Sequence, residues 1–313
     1  MKILVTGAGG FVGEYLVKLL LAHKHVVVAV GVDNGAFLQE LNIPTHEINI
    51  LDMAALQERM NIEKPDAVIH LAAISNVPLS WSKPGLTVDV NIHGTVNVLE
   101  ALYIANSQAK FVNIGSSDEY GLAAKKGDPL TEDILCQPQN PYSISKYCAE
   151  QMVLQLGKEH NMNVIHTRSF NHFGPGQAKG FVTTDFASQI AEIEKGKQEP
   201  VIKVGDLSAY RDFTFVADVV AAYVALLEKD VESGVYNICS GRARKMEEIL
   251  NTLISLAKVK ITVEVDQSKL RPSEVPFFVG NCDKLKKATG WQPKYDFKQG
   301  MEEVLEYWRR KVY

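Results

Sequence analysis

Cysteine is scarce in this chain: four in 313 residues, Cys136, Cys148, Cys239 and Cys282, with no Cys-x-x-Cys pair. Such spacing speaks against a disulfide framework or a zinc site and suits a reducing cytoplasm. Long apolar runs are missing too, so no segment is long enough to span a bilayer. There is no positive excess either. The formal net charge is −4, whereas nucleic-acid-binding domains carry basic patches. Internal repeats and low-complexity stretches do not occur. The chain opens directly on a predicted core strand, so no signal peptide is expected. Hydrophobic residues make up 46% and charged residues 22%, ordinary for a globular protein. The length predicts two lobes.

Strand and helix signals alternate through the first half. Ile3–Thr6, Val26–Val30, Ala67–Leu71, Phe111–Ile114 and Asn163–Thr167 read as strands. Phe11–Ala22, Ala54–Met60, Thr87–Ala105 and Ser143–Lys158 read as helices. Short strands that are apolar throughout, separated by helices, predict a parallel sheet covered on both faces. Right-handed crossovers make it doubly wound. After Phe170 the pattern changes. Val182–Lys195 reads as helix, Val201–Val204 as strand, Val216–Glu228 as helix and Val235–Cys239 as strand. The last two are expected to return to the first lobe. The division is therefore residues 1–170 with 213–239 against 171–313, mainly 171–212 and 240–313.

The richest local pattern is Gly7-Ala8-Gly9-Gly10-Phe11-Val12-Gly13, directly after the first strand and directly before a helix. Glycines there let bare backbone N–H groups approach a dinucleotide pyrophosphate at a helix N-terminus. Strand before, helix after and a second strand about twenty residues on are the context this motif requires. Beyond the second strand, Asp33 could accept from a ribose 2′-hydroxyl, which favours NAD, or be a solvated turn residue. No Arg or Lys stands nearby to take a 2′-phosphate, and NAD(H) and NADP(H) both stay open. Asp52 could touch the adenine amino group or cap the helix that follows it.

Tyr142 and Lys146 stand four apart at the start of a predicted helix, so they share one face. An ammonium beside a phenol is expected to lower its pKa and ready it for proton exchange with a carbonyl or alkoxide oxygen. Ser116, at the mouth of the strand ending at Ile114, would hydrogen-bond the same oxygen. The order glycine turn, strand-end Ser, then Tyr-x-x-x-Lys gives this pair its specificity. An amphipathic surface pair is the alternative.

Gly7/Gly10/Gly13, His70-Leu71-Ala72-Ala73, Ser116 and Tyr142-x-x-x-Lys146 resemble the extended short-chain dehydrogenase/reductases over nearly the full length. The resemblance implies a Rossmann lobe for NAD(P) and a smaller C-terminal α/β lobe for a nucleotide sugar. It implies cofactor contacts from Gly7, Gly10, Phe11, Val12, Gly13, Leu71, Ala72 and Ala73, and from Tyr142 and Lys146. It implies Ser-Tyr-Lys catalysis, and a homodimer joined through a four-helix bundle built from Thr87–Ala105 and Ser143–Lys158.

Segments of the second half, Thr167–Gly176, Gly180–Thr183, Ile202–Leu207, Tyr210–Phe213 and Arg271–Val275, resemble the GDP-mannose 4,6-dehydratase branch and, most nearly, the reductases that act on its 4-keto product. A diphosphate calls for Arg and amide donors, and Asn171, Arg211 and Arg271 are candidates. Glu274 could accept from ribose or guanine, Lys203 could lie near the base, and Val182 belongs to the same set. Each alone could be a surface residue in a salt bridge. His172 reads as a packed histidine.

Dehydratases carry a Glu at the position of Asp118 to remove the C5 proton. Asp is one methylene shorter, and a base misplaced by about an ångström can lose on the order of a hundredfold. Glu119 is expected to point elsewhere. Their arginine-rich insertion is also missing: Gly174-Pro175-Gly176-Gln177 stands in its place. The expectation is a cytoplasmic NAD(P)H-dependent reductase of the C4 keto group of GDP-4-keto-6-deoxy-D-mannose, giving GDP-D-rhamnose, with no metal, nucleic-acid or membrane partner. The alternatives are a GDP-mannose 4,6-dehydratase, an epimerase and a non-catalytic NAD(P)-binding sensor. The Tyr/Lys pair counts against the last.

Overall fold

The computed structural model describes residues 1–32, 35–269 and 275–312. Its strands are β1 Lys2–Thr6, β2 Val26–Gly31, β3 Thr45–Glu47, β4 Ala67–His70, β5 Lys110–Ile114, β6 Val164–Ser169, β7 Asn171–Phe173, β8 Val201–Val204, β9 Tyr210–Phe215, β10 Gly234–Ile238, β11 Ala243–Lys245, β12 Thr262–Val265 and β13 Phe277–Phe278. Its helices are α1 Phe11–Ala22, α2 Ala36–Glu40, α3 Met53–Glu63, α4 Val77–Ser82, α5 Pro84–Val88, α6 Gly94–Ala105, α7 Pro141–Glu159, α8 Val182–Glu194, α9 Val216–Glu228, α10 Met246–Ser255, α11 Asp283–Thr289 and α12 Phe297–Lys311.

Seven parallel strands form the main sheet in the order β10-β6-β5-β4-β1-β2-β3. Their apolar residues face helices on both sides, so the strands need no polar face. One face packs α1 and α9 around Leu16, Leu20, Val219 and Leu226. The other packs α3, α6 and α7 around Leu56, Val98, Leu102 and Val153. The strand order reverses between β1 and β4, and all seven carboxyl ends lie on one edge. That reversal leaves a crevice at the edge where ligands of doubly wound folds sit. β10 joins the sheet beside β6, with Gly234 opposite Ile165.

A second core lies in the later residues. It packs α8, α10 and α12 against β8 and β9 through Phe186, Ile190, Leu250, Val304 and Trp308. Phe278, Cys282, Leu285 and Trp291, although late in the chain, are buried in the first core. The chain thus crosses between the two cores repeatedly.

The predicted helix over 87–105 begins earlier, at Pro84, and is interrupted by a π-helical turn at Asp89–His93. Proline at the first helical position supplies the earlier start. The extra residue in the turn directs Asn91 inward, where its amide bonds both ways with Ile74: Asn91 Nδ2 donates to Ile74 O at 3.0 Å and Asn91 Oδ1 accepts from Ile74 N at 2.8 Å.

The glycine turn is shaped by close backbone approach. Gly7 has φ +67°, and a Cβ there would lie 2.8 Å from Ala72 N. At Gly13 a Cβ would lie 2.1 Å from Ala8 O. Gly13→Ala must therefore push α1 off the turn, and an overpacking cost of about 1–3 kcal/mol is expected. Urea denaturation checks it: an unshifted midpoint would mean that α1 does not rest on this turn.

Candidate active site

β5 ends at Ile114, and Gly115 passes so close to His166 that a Cβ would meet its ring at 2.0 Å. Ser116 then caps a 3-10 turn over Ser117–Tyr120. Its Oγ accepts from Asp118 N at 3.1 Å, and its own N–H donates to Glu119 Oε1 at 2.7 Å. On the far side of the crevice α7 starts at Pro141, capped by Asn140, whose Oδ1 accepts from Ser143 N at 2.8 Å. Tyr142 and Lys146 lie one turn apart at this end, 9% and 5% exposed. Lys146 Nζ donates to Ile114 O at 2.7 Å, which straps α7 to the end of β5. The Ser116 hydroxyl lies near enough to the Tyr142 phenol to draw its pKa downward. The fold thus brings Ser116, Tyr142 and Lys146 together at the carboxyl edge.

The expected acidic phenol is not what the structure shows. Burial, reinforced by the Asp118 charge, pushes Tyr142 above the ordinary phenol range, and the nearby Ser116 hydroxyl offsets only part of this. Burial also lowers Lys146 to about 8, with Glu119 acting in the opposite direction. Desolvation outweighs the amine's pull because the amine is itself desolvated and turned to a carbonyl. Tyr142 is therefore a phenol that holds its proton at neutral pH.

Asp118 is half-buried and faces Arg211. Burial raises its carboxyl, and the guanidinium pulls it down again. Arg211, on β9, donates from Nη1 to Tyr210 O at 2.8 Å and Val275 O at 3.1 Å. Glu119 points away from the crevice into the core, where it is fully buried.

The glycine residues fit a dinucleotide. Gly10 caps α1 with no side-chain acceptor, whereas α3, α4, α7 and α12 each use one. The leading N–H groups of α1, at Phe11, Val12 and Gly13, are therefore not claimed by a cap, as an anion site requires. Leu71 N donates to Thr6 O at 3.1 Å and Ala72 N to Thr6 Oγ1 at 3.3 Å, which sets Leu71, Ala72 and Ala73 beside Gly7. Asp52 is exposed, and its Oδ1 accepts from Ala55 N at 3.0 Å. Of its two open roles, the cap is the one observed.

The candidates for the sugar nucleotide are more dispersed. Asn171 is exposed at the start of β7, which pairs with the strand bearing Arg211. Val182 is half-buried and opens α8. Lys203 is exposed on β8, opposite Glu264 in a separate two-stranded sheet. Asp33, Arg271 and Glu274 lie outside the described residues. His172 is packed, stacked on Phe11 with its Nδ1 3.2 Å from Phe170 O.

Four residues take supporting roles that the sequence alone does not assign. His70 is buried between Thr6 Oγ1 (2.7 Å) and Thr95 Oγ1 (3.0 Å), and burial lowers it to about 3. Thr95 gives its own proton to Asn91 O, so His70 donates from Nε2 and stays neutral. Asn91 Nδ2 also donates to Ser145 Oγ at 2.9 Å, and Ser145 donates to Tyr142 O at 2.7 Å. Asp212, fully buried beside Arg211, accepts from Ser240 N (2.8 Å), Gly241 N (2.9 Å) and Gly280 N (3.3 Å). Glu119 is the fourth. His70, Asp212 and Glu119 lie in stretches singled out from the sequence, and only Asn91 lies in none; their partners are recognisable only in the fold.

Ser116→Ala removes the acceptor that caps the 3-10 turn, and a stability loss of about 1 kcal/mol is expected. Equilibrium urea unfolding reads it. No loss would mean that the hydroxyl is not the cap.

A family model described as GDP-mannose 4,6 dehydratase matches residues 4–304. The GDP-6-deoxy-D-mannose reductase of Pseudomonas aeruginosa is 36% identical over 99% of this chain and 98% of its own. GDP-mannose 4,6 dehydratase 1 of Arabidopsis thaliana is 28% identical, covering 98% of this chain and 91% of its own. Among solved structures, RMD from Pseudomonas aeruginosa complexed with NADPH aligns with a TM-score of 0.89 at 35% identity, covering 99% of each chain.

Proposed function

This chain belongs to the GDP-mannose 4,6 dehydratase family of short-chain dehydrogenase/reductases, and from that premise we propose that it reduces the C4 keto group of a GDP-4-keto-6-deoxy-hexose. The substrate is GDP-4-keto-6-deoxy-D-mannose and the product GDP-D-rhamnose, which makes the protein an NAD(P)-dependent oxidoreductase. The observation that carries the reading is the buried, proton-bearing phenol of Tyr142, beside Ser116 at the carboxyl edge. A ketone that gains hydride becomes an alkoxide and needs a proton. A donor that keeps its proton until then is suited to the task.

The dinucleotide, when bound, supplies the hydride. Phe11, Val12 and Gly13 would hold its phosphates with backbone N–H groups; Gly7 and Gly10, whose own N–H groups donate to Val30 O and Gly7 O, would give it close backbone approach, and Leu71, Ala72 and Ala73 would line the same crevice. Tyr142 gives its proton to the C4 oxygen. Ser116 hydrogen-bonds that oxygen and stabilises the charge that develops on it. The Lys146 ammonium stands behind Tyr142 and favours the phenolate that proton transfer leaves. Arg211 and Asn171, on neighbouring strands, face the diphosphate side, with Val182 and Lys203 further out. Asp118, held toward Arg211, occupies the place of the dehydratase base but is short by a methylene, so reduction is favoured over C5 deprotonation.

A homodimer in the cytoplasm completes the reading. It is supported by apolar side chains that α4 to α7 leave exposed, Trp81, Leu86, Ile104, Ile144 and Met152. Free cysteines throughout the described residues suit the compartment. No helix among the described residues is long and apolar enough to cross a membrane.

Pure protein given GDP-4-keto-6-deoxy-D-mannose and reduced cofactor should oxidise the cofactor and form GDP-D-rhamnose, identified by NMR. With GDP-mannose alone it should form no 4-keto product; the opposite pair of results would make it the dehydratase. Tyr142→Phe should lose about 10²- to 10⁴-fold in kcat with cofactor affinity unchanged by fluorescence titration. Unchanged turnover would remove Tyr142 from the chemistry. Because Lys146 loses its proton first, at about 8, and Tyr142 only well above that, kcat should fall as pH rises past about 8. A rate flat across that range would contradict the role given to Lys146.

A further inference from the structure

Glu119, His166, Glu150 and Arg168 form a buried charged cluster beside Ser116. Lys146 stands one turn from Glu150 on α7 and binds Ile114 O, next to Gly115, where a Cβ would lie 2.5 Å from Glu119 Oε1. Both carboxylates and the imidazole are at most 1% exposed. Arg168 binds Glu150 through two hydrogen bonds, Nε to Oε2 at 2.8 Å and Nη2 to Oε1 at 2.7 Å. Its guanidinium also lies 4.6 Å above the Tyr120 ring. Glu119 Oε1 accepts from Ser116 N at 2.7 Å and lies 3.1 Å from His166 Nε2. Its other oxygen is 3.5 Å from Arg168 Nε. Asn113 Nδ2 is 2.9 Å from His166 Nδ1, so that nitrogen is the acceptor and Nε2 donates to Glu119. The imidazole is therefore neutral.

The charges then balance in a simple way. Glu150 neutralises Arg168 by a bidentate pair, and the two remaining charged groups are Glu119 and Lys146. Resting on the reductase reading above, we propose that Glu119 is a positioning residue. Its buried carboxylate is the counter-charge that keeps Lys146 an ammonium, and through the Ser116 backbone it fixes the hydroxyl that meets the substrate oxygen. Glu119 touches neither substrate nor cofactor; it acts through Lys146 and Ser116.

The groups that face Glu119 come from three elements. Ser116 lies on its own turn, Lys146 and Glu150 on α7, and His166 and Arg168 on β6. Arg168 cannot release its proton, and His166 is already neutral, lowered to about 4. Loss of the Glu119 charge therefore leaves one uncompensated buried cation, and Lys146, already lowered by burial, is the group able to discharge it. Glu119 itself titrates near neutrality, raised to about 7 by burial against its donors.

Glu119→Gln keeps the shape and an acceptor for Ser116 N while removing the charge. The alkaline fall of kcat should move down by about one pH unit or more, the size of shift a neighbouring charge produces. At about pH 8 the variant should be at least roughly fivefold slower than wild type, and at about pH 6 within a few-fold. Glu119→Asp, which restores the charge, should bring the fall back toward its original position. A uniform loss of kcat with an unmoved pH profile would reduce Glu119 to a structural part and overturn the proposal.

A stability cycle needs no substrate and decides the matter even if the reductase reading fails, which wild type without turnover would reveal by itself. Removing both charges in Glu119→Gln/Lys146→Met should raise the melting temperature above that of Glu119→Gln alone, or recover soluble protein if the single variant does not fold. Additive losses, or no recovery, would overturn the pairing.

Discussion

The active-site edge depends on helix α7 being laid across the ends of β5 and β6 with polar groups on its buried face. Lys146 reaches Ile114 O, Ser145 bonds to Asn91, and Glu150 closes on Arg168. Water is the usual partner for such groups, and burial removes it. Each must then find a protein partner, because an unpaired buried charge is strongly destabilising. Removing one member of a buried ion pair typically costs about 3–5 kcal/mol. The same requirement that holds α7 in place therefore holds Tyr142 and Lys146 in register with Ser116.

The first-lobe pattern was legible because its signals are local. An apolar strand, a glycine turn and a helical stripe can be read within about twenty residues. The spans of α1, α9 and β8 coincide with those expected from the sequence. Tyr142 and Lys146 were legible for the same reason, since helical spacing alone places them on one face. What could not be read was anything decided by partners far along the chain. The acidity of Tyr142 was read with the wrong sign because proximity to an amine is visible in sequence and burial is not. Asn91 gave no signal, because its role rests on a π-helical turn and on Ile74 and Ser145. The strand β9 was not anticipated either. Its residues Tyr210–Phe215 become a strand by pairing with β7, β11 and β13.

Asp212 shows how the two cores are held in register at the site. Its carboxylate collects the N–H groups of Ser240, Gly241 and Gly280, which belong to the stretches just after β10 and β13. A carboxylate that accepts several backbone donors favours its charged form, while burial raises it; the burial effect is the larger here. The neighbouring residue, Arg211, thereby gains a fixed backbone from which to face Asp118.

The contrast between Asp118 and Glu119 makes the last point. They are adjacent acids on one short turn, and the turn sends them in opposite directions. Asp118 faces the crevice and Arg211; Glu119 faces Lys146, His166 and Arg168. Reduction of a ketone asks for one proton and a stabilised oxygen, whereas dehydration also asks for a carboxylate at a carbon-bound proton. On the proposed reading the turn serves the first need through Glu119, behind the site, and weakens the second through the short arm of Asp118 and its attraction to a guanidinium. On that reading, which of two neighbouring acids faces the crevice, and how far it reaches, separates two reactions on one framework.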